Sequence, residues 1–147
     1  MLKTAHAMNQ SITVRRKYDA TAEELFDAWL DPQSLAAWMR PGGIERTEAK
    51  LDARVGGQFE ILMHTSEGPI RHTGVYREID RPRRLVFTWA SPATYLTDSV
   101  VTVEFVIHQD ATELVLTHTA LPDDGEAVDS HIGGWSSALE HLAGFVA

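Results

Sequence analysis

The feature that most constrains this chain lies near its C-terminal end. Val128, Ile132, Trp135, Leu139, Leu142 and Val146 recur at alternating intervals of four and three. That spacing places all of them on one stripe of an α-helix. Asp129, Ser130, Ser137 and Glu140 occupy the opposite face, and Pro122, Asp123 and Asp124 mark the start. Acidic residues there suit the positive end of the helix dipole. A helix of about 20 residues spans roughly 30 Å. Nearly everything before it reads as short strands, so its stripe must be buried against their sheet. The expectation is a sheet curled around this helix, with a cavity between them.

The strands carry a period of two. Phe59, Ile61 and Met63 alternate with Gln58, Glu60 and His64, with Leu62 the exception. The preceding segment, Ile44 to Leu51, is a weak polar strand expected near a sheet edge. Segments Ile70 to Ile79, Leu85 to Trp89, Val100 to His108 and Glu113 to Thr119 come next, the last two as a hairpin. Ser91 to Asp98 is the longest inter-strand loop, with Tyr95 and Leu96 near its tip. Ser11 to Tyr18 forms a first strand. Two short helices come after it. Thr21 and Glu24 make a capping-box pattern for the first, and Asp31-Pro32 caps and starts the second. Short turns between successive strands imply an antiparallel meander. Residues 1–10 are expected to be a flexible lead to one domain covering 11–147.

Composition narrows the partners. Formal net charge is −8, and three arginines around Pro82 look like a solvated turn, so neither nucleic acid nor an anionic membrane is expected. There is no cysteine, hence no disulfide, thiolate metal site or cysteine nucleophile. No apolar run has the length of a signal-peptide core or a membrane span. A cytoplasmic protein is expected. No cofactor is implied. The seven histidines include no HExxH and no pair at i, i+4 on a helix, although His64 and His72 could face each other across a hairpin. A metal site is not expected.

Several stretches together resemble one family. They are Tyr18-Asp19-Ala20-Thr21-Ala22-Glu23-Glu24-Leu25-Phe26-Asp27-Ala28-Trp29, Asp31-Pro32 with Trp38, Gly56-Gly57-Gln58-Phe59 and Gly74-Val75-Tyr76-Arg77-Glu78-Ile79. Arg84-Leu85-Val86-Phe87-Thr88-Trp89, Thr117-His118, and Gly134-Trp135 leading to Leu139-Glu140-His141-Leu142 complete the set. In order and spacing they are similar to bacterial homologues of the activator of heat-shock protein 90 ATPase, within the START-like (SRPBCC) superfamily. The resemblance implies an α+β helix-grip fold. It has a curved antiparallel sheet of about seven strands around the long C-terminal helix, agreeing with the periodicity.

Phasing the strands on Phe59, Ile61 and Met63 turns Phe87, Trp89, Val101, Val103, Phe105, Ile107, Leu114 and Leu116 inward, and His118 with them. Trp135 and Leu139 face the same space from the helix. The resemblance implies that His72, Gly74 and Tyr76 point inward, whereas Val75 and Ile79 argue for the opposite phase. These residues would line a site for a small hydrophobic or aromatic molecule, entered near the Ser91 to Asp98 loop. One alternative is a cyclase- or lyase-type enzyme in which His118 and Tyr76 do acid–base work. A buried, hydrogen-bonded His118 is the preferred reading, and Glu78 could approach it only if its strand takes the family phase. The other alternative is a protein-interaction or chaperone-associated module, including a homodimer. The Gly133-Gly134 pair inside the helix costs about 2 kcal/mol relative to alanine. It reads as close backbone packing or a kink, or else as room for a ligand beside Trp135.

Overall fold

A computed structural model describes residues 7–146. The flexible lead expected at residues 1–10 falls largely on residues outside those described. The elements run β1 (Gln10–Tyr18), α1 (Ala22–Leu30), α2 (Pro32–Trp38), β2 (Arg46–Leu51), β3 (Gln58–Thr65), β4 (Gly68–Asp80), β5 (Arg84–Trp89), β6 (Ser99–Ile107), β7 (Thr112–Leu121) and α3 (Gly125–Val146). All seven strands form one antiparallel sheet in the order β1-β7-β6-β5-β4-β3-β2. The meander therefore runs unbroken from β2 to β7, and β1 joins beyond β7. This is the helix-grip α+β fold, with β2 at an edge as its polar sequence predicts.

Local chemistry sets the helices. Thr21 Oγ1 accepts the Glu24 amide at 3.1 Å, and Glu24 reaches back to the Thr21 amide at 3.4 Å, so two amides that the helix leaves orphaned are satisfied. The Asp31 carboxylate accepts the Ser34 amide at 2.9 Å, one residue ahead of Pro32. The two helices deliver Phe26, Trp29, Leu35 and Trp38 into the interior, all buried. Trp38 donates its indole N–H to the Ala28 carbonyl at 2.9 Å, which locks α2 onto α1. At the far edge, Tyr18 of β1 donates its hydroxyl to the Leu139 carbonyl of α3 at 2.8 Å. The helix is thus tied to the sheet at its β1 edge.

Strand β4 resolves its ambiguous phase by serving both. His72, Gly74 and Tyr76 face the interior, and the ladder to β5 then shifts register between Tyr76 and Glu78. One extra residue at that bulge reverses the facing of the residues beyond it, so Ile79 also packs against the core. Glu78 goes outward to pair with Arg84 at 3.2 Å and does not approach His118. Gly74 is required by close approach. A Cβ there would sit 2.0 Å from the Thr88 carbonyl oxygen and 2.3 Å from the Phe59 ring.

Other expectations are corrected. Ile107 is 67% exposed, because it ends β6 beyond the reach of the helices. On α3 the stripe holds from Trp135 onward, but its first two turns bury Ala127 and His131, leaving Ile132 42% exposed. His131 is cheap to bury here because its Nδ1–H donates to the Ala127 carbonyl one turn back, at 2.6 Å. The Gly133-Gly134 pair receives no other backbone. α3 is continuous, a Cβ on Gly133 would meet nothing within 4 Å, and one on Gly134 would only touch Pro41 at 4.0 Å. His64 does not face His72. It bonds Glu48 across β2 at 2.9 Å, while His72 stands opposite Ile61.

Candidate functional site

Between α3 and the β3-β4-β5 side of the sheet lies a cleft of about 470 Å³. Its floor is apolar: Met39, Met63, Trp89, Trp135 and Ala138. The Trp89 and Trp135 rings are 5.1 Å apart, and His72 lies against Trp89 with centroids 4.9 Å apart. The rim is contributed by Pro41, Gly42 and Ile44 after α2, by Ser91 and Ala93 after β5, and by Asp129 and Ser130 on α3. Gly133 and Gly134 form the helix side of the opening. Absent side chains there keep the space beside Trp135 open. The Ser91 to Asp98 loop borders the cleft, though through Ser91 and Ala93, while Leu96 is exposed and Tyr95 donates its hydroxyl to the Asp124 carboxylate.

The residues expected to bind a ligand separate into three groups. Met63, Trp89 and Trp135 line the cleft. Phe59, Ile61, Tyr76 and Phe87 surround a second void of about 10 Å³, which is at the threshold for one water molecule and far too small for a ligand. Val103, Phe105, Leu116 and Leu139 are packed solid, with Phe105 against Phe26 at 5.3 Å. The physical reason is the bulk on α1 and α2. Trp29 packs on Trp38 at 4.7 Å and on Phe87 at 6.1 Å, so aromatic rings fill the space a larger cavity would need. His72, His131, Met39 and the helix glycines are the cleft residues that strand phasing alone does not single out.

His118 is fully buried behind Trp135 and is held by a one-way chain of hydrogen bonds. The Trp135 indole donates to His118 Nδ1 at 3.0 Å. The Ser99 hydroxyl donates to the Trp89 carbonyl at 2.6 Å. Its oxygen must then accept from His118 Nε2–H, also at 2.6 Å. These partners fix a neutral tautomer with both ring nitrogens occupied. Burial, aided by neighbouring His131, pushes the His118 pKa down to about 3. Burial likewise pushes the Tyr76 phenol above its ordinary range, with Asp52 adding to the effect. Neither group is poised to exchange a proton near neutral pH. The arrangement braces Trp135 against the sheet.

Two other histidines face the cleft. Burial pushes His72 down to about 4 against the opposing pull of the Ile61 and Ile70 backbone, and its Nδ1 is sealed from solvent with no well-formed hydrogen bond among the described residues. His131 is held below the usual imidazole range by burial, which outweighs the opposing bond to Ala127. The His118 and His131 rings meet edge to face at 5.0 Å. Among the described residues no three His, Asp, Glu or Cys side chains converge as a metal site would require. None of the helices described is long and apolar enough to cross a membrane.

No curated protein matches the chain significantly. Solved structures do. Protein CV1439 of Chromobacterium violaceum is 26% identical with a TM-score of 0.79, covering 93% of this chain and 97% of that one. CalU16 of Micromonospora echinospora is 28% identical with a TM-score of 0.71, covering 93% and 76%. PFC0360w, described as an HSP90 activator from Plasmodium falciparum, is also 28% identical with a TM-score of 0.71, covering 90% and 92%. The model of the family called activator of Hsp90 ATPase homolog 1-like protein matches residues 19–147, which include α1 to α3 and six of the seven strands, and the chain therefore belongs to that family.

Proposed function

We propose that this protein binds a small, largely apolar and preferably aromatic molecule in the cleft between α3 and the sheet. The carrying observation is the cleft itself, walled by Trp89, Trp135, Met39 and Met63 and held open at Gly133. Its volume lies within the range of small-molecule sites, and its wall is apolar with a few placed polar groups. Methionine side chains adapt to different ligand outlines, and the indoles offer flat faces for stacking. The reading is tested by native mass spectrometry of freshly purified protein against the same sample denatured, which also reports oligomeric state. A discrete added mass lost on denaturation, and absent from Gly133→Leu, is the expected result. A bare chain that also fails to take up naphthalene would sink it.

A second reading, stimulation of a heat-shock protein 90 ATPase, draws support from the likeness to the Plasmodium activator. It predicts faster ATP turnover by the purified chaperone when this chain is added, and unchanged turnover removes it. The enzymatic alternative through His118 and Tyr76 has no such support, since His118 is closed off by Trp135 and Ser99.

A further inference from the structure

The polar groups of the cleft are strongly one-sided in kind. Among the described residues no lysine or arginine lines it, and the one carboxylate that does, Asp129, stands on α3 near the mouth. The net charge of −8 adds to the same repulsion of anions. His131 supplies a second constraint. A carbonyl can only accept, so the 2.6 Å bond to Ala127 places the proton on Nδ1. Nε2 is left as a lone-pair acceptor with no hydrogen-bond partner among the described residues, on a side chain that lines the cleft. His118 cannot compete for a ligand donor because its Nδ1 is already taken by Trp135. Among the described residues, a group entering between Trp135 and the rim therefore meets an acceptor and no cation.

We propose that the cleft selects neutral aromatic molecules carrying one hydrogen-bond donor, of the phenol or indole kind, whose O–H or N–H is received by His131 Nε2, and that it rejects carboxylates. This rests on the cleft reading above and specifies its ligand class. Burial holds His131 and its neighbours His72 and His118 in their neutral forms, which keeps the acceptor available near pH 7. Among the flanking groups, Asp129 and Ser130 precede His131 on the helix, and the buried His118 ring packs on its face. A carboxylate would lose its hydration and gain neither an ion pair nor a donor fork in return.

The test uses three probes of one shape: 2-naphthol, naphthalene and 2-naphthoate, titrated into the full chain at pH 7 by calorimetry. The expected order is 2-naphthol tightest, naphthalene weaker by about two- to twelvefold, the range for one net hydrogen bond, and naphthoate weakest. His131→Leu, of similar bulk, should bring 2-naphthol down to the naphthalene level and leave naphthalene unchanged. Naphthoate binding as well as 2-naphthol in the unaltered protein overturns the proposal without any variant. So does an equal loss of 2-naphthol and naphthalene in His131→Leu. If naphthalene binds and the three do not differ, the cleft reading stands and the selectivity fails. If none binds, both fall.

Discussion

Lowering the pH from 7 to 5 should destabilise this protein through its interior histidines. Imidazoles in the unfolded chain titrate near 6.5. In the folded protein His118 sits at about 3 and His72 at about 4, both through burial. Below pH 6.5 the unfolded chain takes up protons that the folded chain refuses, so stability is full above that pH and falls beneath it. Each such group costs up to ~1.4 kcal/mol per pH unit, which integrates to about 2 kcal/mol at pH 5. His72 contributes somewhat less than His118, since part of its ring meets the cleft, and His131 acts in the same direction. A total near 4 kcal/mol is a large share of the 5–15 kcal/mol typical of a domain and lowers Tm on the order of 10 °C. The depressed carboxylates Asp27, Asp31 and Glu48 do not confuse this window. With a lowered folded pKa their contribution is full above the ordinary carboxylate range and is lost as the pH falls through that range and below it, which is beneath about pH 5. The assay is urea unfolding followed by tryptophan fluorescence at half-unit steps from pH 7.5 to 5. His118→Gln should flatten the slope by ~1.4 kcal/mol per unit, and His72→Leu offers a second route if that variant does not fold. A flat profile from pH 6.5 to 5 in the unaltered protein would refute the reasoning, as would a slope that neither substitution changes.

The remaining predictions concern packing. Gly133→Ala should raise stability by up to ~1 kcal/mol, because the helix gains propensity and the new Cβ meets nothing within 4 Å; thermal unfolding checks it, and a loss would mean the helix needs that position bare. Gly74→Ala should instead cost more than ~2 kcal/mol, since the Cβ has nowhere to go between Thr88 and Phe59. A neutral result in urea unfolding would contradict the inward phase of β4. Trp135→Phe leaves His118 Nδ1 unpaired in a dry site and should cost about 1–3 kcal/mol before any loss of packing. An unchanged denaturation midpoint would show that the indole bond is not what holds the relay.

Legibility in the sequence differed by the kind of signal. Periodicity was enough for the sheet because alternation on Phe59, Ile61 and Met63 fixes a face, and neighbouring strands must match it. Caps at Thr21 and Asp31 were readable because their hydrogen bonds are local. Ambiguity in β4 came from a bulge, which lets Tyr76 and Ile79 share a face three residues apart and defeats any count in twos. On α3, counting apolar residues favours Ile132 over His131. That count omits the backbone carbonyl that makes the histidine inexpensive to bury. The cleft was harder still. Inward-facing positions are legible, but whether they enclose space depends on how far Trp29 and Trp38 reach from another part of the chain. The glycine pair carried the one local hint.

The placement of β1 has a consequence for how the molecule comes to be made. Among the described residues its one sheet neighbour is β7, in a register that joins Ile12 to His118 and Tyr18 to Thr112. At synthesis rates of about 5–20 residues per second, β1 leaves the ribosome on the order of 10 s before that neighbour exists. The β2-to-β7 meander pairs each strand with one just made, so it can assemble progressively. β1 cannot, and its pairing must bridge roughly 100 residues of intervening chain. During that wait its own sequence guards it, because Arg15, Arg16 and Lys17 discourage the strand from pairing with other nascent copies. In refolding experiments the same asymmetry should appear as amides of β1 gaining protection from hydrogen exchange after those of β3 to β6.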